Sequence, residues 1–193
     1  MATATSSTTE LSGQYSEAIA SSIAKLKELG INFLALDFDQ TILEIHTGGR
    51  WTSTLEELLP HVRPVFAQLI PAALENDIHV GIVTFTSQTS TIVRGVLDHI
   101  LGAQAASQIP IRGSDRTWRY EGTGSMDGKQ PHIASAVEEL ETRFHGVEIT
   151  KATTLLIDDD AKNIRYALND GTRAIWFNPR KPHHLLQNIM KLV

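Results

Sequence analysis

The sequence predicts an α/β fold in three layers (α/β/α), with helices on both faces of a central, mostly parallel sheet, and three observations predict it. Short apolar runs alternate along the chain with stretches of helical periodicity, the pattern of repeated strand-helix units. The runs are continuously apolar, as strands covered on both faces are. Several of them end in acidic or hydroxyl residues, and ligands of open α/β sheets gather beyond the carboxyl ends of the strands.

The elements follow in order. Tyr15, Ile19, Ile23, Leu26 and Leu29 recur at helical spacing, with Gly30 where a helix would stop. Ile31 to Phe38 reads as the first buried strand, and the glycine-containing stretch Thr41 to Trp51 as a turn or flap. A helical region runs from about Thr52 to Asn76, and Pro60, Pro64 and Pro71 are expected to divide it. Ile78 to Phe85 is a second β-rich run, and a helix is expected from Ser87 to Leu101, ended by Gly102. Gln108 to Arg112 reads as a short strand, and Gly113 to Gly128 as a loop or hairpin carrying Trp118 and Tyr120. Pro131 suits the first turn of a helix reaching about His145. Thr153 to Ile157 is another buried strand, followed by a helix from Asp160 to Asn169 that closes near Gly171. Ala174 to Phe177 is the last strand, before a terminal helix from about Pro182 to Leu192.

A chain of 193 residues, 41% apolar and 20% charged, has the composition of one globular domain. That domain is placed at residues 15–193, with residues 1–14 as a disordered tail. The tail is rich in Ser, Thr and Ala, yet no Arg precedes Arg50 and Glu10 is acidic, which counts against a targeting segment. No apolar run approaches the roughly 18 residues of a membrane helix, so no membrane partner and a cytoplasmic location are expected. With no cysteine, any metal must rest on oxygen or nitrogen ligands, which favours hard cations. The net charge of -5 argues mildly against nucleic acid as an obligatory partner, because such proteins carry a basic face. A local basic patch stays open.

Four polar stations stand at predicted strand ends or helix starts, and together they suit phosphoryl transfer. Asp37 and Asp39, two residues apart, can face one side of an extended chain and present two carboxylates to one pocket. A nearby cation relieves their repulsion, and a carboxyl that shares a proton can work as acid and base at neutral pH. Asp37 would attack phosphorus, while Asp39 would protonate the leaving oxygen and then activate water. Thr84 follows Val80 to Val83 and could donate to phosphoryl oxygens, with Thr86 as the alternative donor. Lys129 offers a point charge near a helix start, and is preferred to Lys151, which precedes its strand instead of following it. Leu155, Leu156 and Ile157 lead into Asp158, Asp159 and Asp160. Burying several anions without a cation is costly, and magnesium takes one or two carboxylates together with a phosphate. Asp37, Asp159 and the Asp39 backbone carbonyl are the expected direct ligands. Asp158 would bind directly or through water, Asp160 could cap the next helix, and Asn163 could orient the acidic loop.

In these motifs the chain resembles the haloacid dehalogenase superfamily. Its first motif, DxDxT, stands as Asp37, Asp39 and Thr41; its second as Thr84; its basic third as Lys129; its acidic fourth, DDxxxN, as Asp158, Asp159 and Asn163. The resemblance covers roughly residues 31 to 178. The segments GKQPHI and LLIDDDAKNI look like those of the small magnesium-dependent phosphatases with minimal caps. It implies a Rossmann-like core, Mg2+ as cofactor, and hydrolysis of a phosphomonoester through an aspartyl phosphate. Asp39 sets the chain apart from the dehalogenases of the superfamily, which typically lack an acid there. About 45 residues separate Asp37 from Thr84, and a similar number separate Thr84 from Lys129. That leaves little room for a large cap. Gln40 departs from the glycine common in DxDGT relatives.

The substrate is less legible. Thr41 and Thr86 would join in holding it, and Arg50 and Arg116 supply cations for a second phosphate or a base. His46, Trp51, Arg112, Trp118 and Arg119 lie in the same segments; exposed charges beside an anchoring tryptophan explain them equally well. His183 and His184 lie away from the expected strand ends. A phosphorylated metabolite, a phosphoprotein and a nucleic-acid end all remain candidate substrates. A phosphotransferase or mutase is the first rival reading, and a noncatalytic interaction module the second.

Overall fold

The computed structural model describes residues 15–193, and the tail expected at residues 1–14 lies outside the described residues. Strands β1 (Phe33–Leu36), β2 (His79–Val83), β3 (Ile111–Arg112), β4 (Thr154–Asp158) and β5 (Arg173–Trp176) form a five-stranded sheet in the order β3-β2-β1-β4-β5. Every pairing is parallel. The arrangement is Rossmann-like.

Alternation along each strand explains why the runs read as continuously apolar. Leu34 and Leu36 of β1, with Leu155 and Ile157 of β4, face one side. That side is covered by α1 (Ser16–Glu28), α3 (Pro64–Glu75), α4 (Arg94–Leu101) and α8 (His184–Met190), which contribute Leu26, Phe66, Val96 and Ile189 among others. Phe33, Ala35 and Leu156 face the other side, against Ala136 of α6 (Gln130–Arg143) and Ala167 of α7 (Ala161–Asn169). The central strands β1 and β4 are therefore buried on both faces. Gly81 makes this layer possible: a Cβ there would lie 2.9 Å from the Phe33 ring.

The strand order places the site. From β1 the chain steps outward through β2 to β3, then returns to the opposite side of β1 for β4 and β5. The order reverses between β1 and β4, and ligands of open sheets bind beyond the carboxyl ends of strands at such a switch. Asp37 follows β1 and Asp158 ends β4.

Several local expectations are corrected. Pro71 does not divide the helix around it but lies inside α3. A proline there removes one backbone bond at a cost of about 3 kcal/mol, offset by the burial of Val65, Phe66, Leu69, Ile70 and Ala73 on one helix face. Pro60 and Pro64 do mark boundaries: a short α2 (Leu55–Leu58) passes into a 3-10 turn, and Pro64 opens α3. The Ser87 to Leu101 helix is not uniform. It begins with a wide turn over Thr89–Val93, in which Val93 N–H donates to Gln88 C=O, and a short α5 (Ala103–Ala106) follows Gly102. The stretch read as a turn or flap starts from a bridge between Leu43 and Val62, which adds to that reading and does not overturn it.

Candidate active site

The first motif leaves the sheet in extended backbone at Asp37 and Asp39, then turns sharply at Gln40, whose φ is +58°. Both carboxylates line one cleft, as their spacing of two suggested. Gln40 takes the left-handed conformation that a glycine adopts without strain. Arg63 reaches this turn: its Nη2 donates to the Gln40 carbonyl at 3.4 Å. Nothing in the local sequence marks Arg63, because the contact spans the break between the turn and α3.

Lys129 precedes α6 and is almost completely buried. Its Nζ donates to Asp37 Oδ1 at 2.7 Å and to the Val83 carbonyl at 2.8 Å. Burial pushes the Asp37 carboxyl above its ordinary range, and the Lys129 ammonium pulls it back. Lys151 is at the other end of β4, paired with Asp170.

The three consecutive aspartates have separate roles. Asp158 is fully buried, and its Oδ1 accepts the Asp160 N–H at 2.8 Å while Oδ2 accepts Asn163 Nδ2 at 3.0 Å. Asp159 receives the Thr41 hydroxyl at 3.4 Å, and its backbone carbonyl accepts the Trp176 indole N–H at 2.7 Å. Asp160 caps α7 by accepting the Lys162 N–H at 2.7 Å. Thr41 therefore positions a carboxylate from a fully buried place.

Asp37, Asp158 and Asp159 bring carboxylate oxygens within 4.8 Å of one another. The Asp39 carboxylate is not part of that group. Burial first, and then the Asp37 charge, push Asp158 up to about 7 and Asp159 up to about 6. Such shifts mean that ionised carboxylates are costly here, first through lost hydration and then through repulsion from Asp37. A hard divalent cation fits the donor set, since three carboxylate oxygens converge within 4.8 Å and all are hard ligands.

Asp39 is held from the flap, where Thr47 N–H donates to Oδ1 at 3.2 Å and the Thr47 hydroxyl to Oδ2 at 2.9 Å. His46 Nδ1 lies 3.5 Å from Oδ2 and accepts the Gly48 N–H. The flap is fastened to the segment after β2, with the Thr86 hydroxyl donating to the Gly49 carbonyl at 3.0 Å and Ser87 N–H to the same oxygen at 3.1 Å. Thr84 lines the cleft and its hydroxyl accepts the Thr86 N–H at 3.2 Å. Of the two candidate threonines, Thr84 is the one at the cleft wall.

Arg50 and Arg116 are exposed and do not line the cleft. Arg112 is committed elsewhere, tying β3 to α6 through Ser135 and a 2.6 Å ion pair with Glu139. Trp118 anchors its loop by donating to the Gly113 carbonyl, and Trp51 donates its indole N–H to Thr54. Thr47, Phe85, Arg63 and Trp176 join the site without a motif to announce them.

The cleft encloses about 490 Å³. A larger one, about 1010 Å³, opens at the amino ends of the strands beside Asn32, His79 and Phe144, away from the carboxylate cluster. Chemistry, not size, selects the smaller. No family model matches the chain, and neither a curated protein nor a solved structure matches it. Among the described residues, no helix is long and apolar enough to cross a membrane.

Proposed function

We propose that the protein is a magnesium-dependent phosphomonoesterase that resembles the minimally capped phosphatases of the haloacid dehalogenase superfamily. One observation carries the reading. A carboxylate at the sheet's switch point, Asp37, accepts from a buried lysine and has an oxygen within 4.8 Å of carboxylate oxygens of Asp158 and Asp159. A nucleophile for phosphorus needs a cationic surround to admit an anionic ester, and this grouping supports one.

Asp37, Asp158 and Asp159 would hold the ion. Bound magnesium supplies neutralisation of phosphoryl charge and a fixed orientation for the phosphate. The chain's own groups do the rest. An Asp37 oxygen bonds to phosphorus as the ester P–O bond breaks, and Asp39 gives its proton to the departing oxygen. Asp39 then takes a proton from water, whose oxygen bonds to phosphorus and breaks the bond to Asp37, releasing phosphate. Thr47 orients Asp39 for both transfers. Lys129 fixes the nucleophile and offsets charge on the phosphoryl oxygens, and Thr84 stands at the wall as a further donor.

Phosphate release from phenyl phosphate and glycerol phosphate, with and without magnesium, tests the reading beside Asp37→Asn. The expected result is metal-dependent release that falls by at least about a thousandfold in the variant, since the covalent route is lost. Undiminished release by Asp37→Asn would remove Asp37 as nucleophile. Transfer of the phosphoryl group to added alcohol in preference to water would make the protein a phosphotransferase.

A further inference from the structure

Charge is unevenly distributed along the chain. Residues 161–193 carry six lysines and arginines, Lys162, Arg165, Arg173, Arg180, Lys181 and Lys191, against one acid, Asp170, in a protein whose net charge is -5. That segment forms α7, β5 and α8, so the imbalance belongs to one flank of the molecule. β5 is the end strand of the sheet. Ala167 of α7 packs in one core layer with Ala174 beside it, and Leu185 and Ile189 of α8 pack with Ile175 in the other. Among the described residues none of the six cations is in an ion pair, and Asp170 is paired with Lys151 instead. The same flank gathers further basic groups: partial burial, and then the charges of His183, Lys181 and Lys191, lower the pKa of His184.

The edge strand itself is open. Phe177 N–H donates to Asp158 C=O at 2.9 Å, and alternate residues of a strand turn their main-chain groups to alternate sides. Arg173 and Ile175 therefore face β4, whereas the N–H and C=O groups of Ala174 and Trp176 point away from the sheet. Among the described residues none bonds those outward groups. The opposite edge strand, β3, is only two residues long, and its Arg112 is committed to Ser135 and Glu139.

Cations near an edge strand can serve merely to keep other strands away. A guarded edge of that kind has no use for apolar surface, yet four of the six large apolar side chains left exposed, Leu168, Trp176, Met190 and Val193, lie in this same segment. Exposed apolar groups collected in one region mark a place where something binds. The combination selects the kind of partner. Phosphate groups of a nucleic acid would pair with the cations and leave the outward carbonyls without a donor, whereas an extended peptide supplies a donor and an acceptor at every second residue.

We propose that the outer edge of β5 is a docking site for an extended, acidic peptide segment of a partner protein, which adds a sixth strand to the sheet. Its main chain pairs with Ala174 and Trp176, its apolar side chains cover the exposed Trp176 and Leu168, and its carboxylates meet the cations of α7 and of the segment after β5. The Trp176 indole N–H donates to the Asp159 carbonyl, so the docked strand lies beside the acidic cleft. The inference does not depend on the phosphatase reading.

A short peptide of alternating valine and glutamate is the probe, titrated into the full chain with amide hydrogen exchange as the structural readout. Binding is expected to slow exchange at Ala174 and Trp176, and the valine-lysine counterpart should bind about tenfold or more weakly. Two further forms of the acidic peptide, N-methylated at one or the other set of alternate residues, keep the charge. One set faces β5 and is expected to lose about tenfold or more in affinity, while the other binds like the parent. Arg180→Glu combined with Lys181→Glu should weaken binding about fivefold or more with little change in Tm. Ala174→Pro, which deletes an outward N–H and spares the ladder to β4, should do the same; if it does not fold, the methylated peptides and the charge reversal still decide. No binding of the acidic peptide, equal affinity for the lysine form, or unchanged exchange at Ala174 and Trp176 overturns the proposal. Tighter binding of oligothymidylate that leaves those amides unprotected also overturns it, and gives the flank to nucleic acid.

Discussion

At the scale of single residues, the site is an arrangement of buried charges whose ionisation burial opposes. Lys129 neutralises Asp37, but Asp158 and Asp159 are still pushed up to about 7 and about 6 by burial and by Asp37. His132, nearby, is shifted the other way. Burial first, then the charges of Lys129 and Arg112, lower it from 6.5 to about 4. Neutral in the fold, it takes up a proton on unfolding at any pH between those values. Its contribution is complete above 6.5, is lost as pH falls towards 4, and amounts to roughly 3 kcal/mol over that window. The raised aspartates act oppositely, since their contribution falls as pH rises. A difference between variants therefore isolates the histidine: chemical denaturation of wild type and His132→Phe at pH 7.5 and pH 4.5 is expected to show a smaller acid-induced loss in the variant. Parallel losses would remove His132 as the cause.

At the scale of elements, the groups proposed as catalytic depend on where turns end. Gly128 immediately precedes Lys129 with φ at +55°, and a Cβ there would lie 2.9 Å from the Tyr166 ring and 3.0 Å from Asn163 Oδ1. Asn163 holds Asp158, so one small substitution disturbs two functional elements, the start of α6 and the acidic loop before α7. Gly128→Ala is expected to cost about 1–3 kcal/mol through strain and overpacking. It should also weaken magnesium binding about tenfold or more through the displaced partner of a ligand. Thermal unfolding and metal titration read these separately, and an unchanged affinity in a folded variant would show that Asn163 does not need its present place. Thr47 and Thr86 work comparably on the flap, one gripping Asp39 and the other the Gly49 carbonyl.

At the scale of the whole molecule, the proposed metal binding would be linked to folding. The proposed ligands come from the ends of two neighbouring strands, β1 and β4, whose register aligns Leu36 with Ile157. An unfolded chain cannot assemble them, so a bound cation stabilises the native state by about 2.7 kcal/mol at a hundredfold excess over Kd. For a chain of this size that corresponds to a rise of roughly 5 °C or more in Tm. The rise is expected with magnesium, should be reversed by a chelator, and should be absent in Asp159→Asn. A Tm indifferent to magnesium at every concentration would remove the cation from this account.

The sequence alone determined the alternation of buried strands and covering helices, because burial on both faces writes itself as continuous apolar runs. It also placed Asp37, Asp39, Thr84, Lys129 and the Asp158–Asp160 run at element ends, where polar residues contrast with apolar neighbours. The tertiary structure decided what has no local signature. Arg112, which could have recognised substrate, is spent on Ser135 and Glu139; Thr41 serves Asp159; and Arg50 and Arg116 stay outside the cleft. Pro71 remained inside a helix because the burial of one face outweighed a missing bond. Phe85, Arg63 and Trp176 entered the site through contacts with residues distant in sequence. Periodicity reports which side of an element is buried, but the partner that a side chain meets is set by how the elements pack.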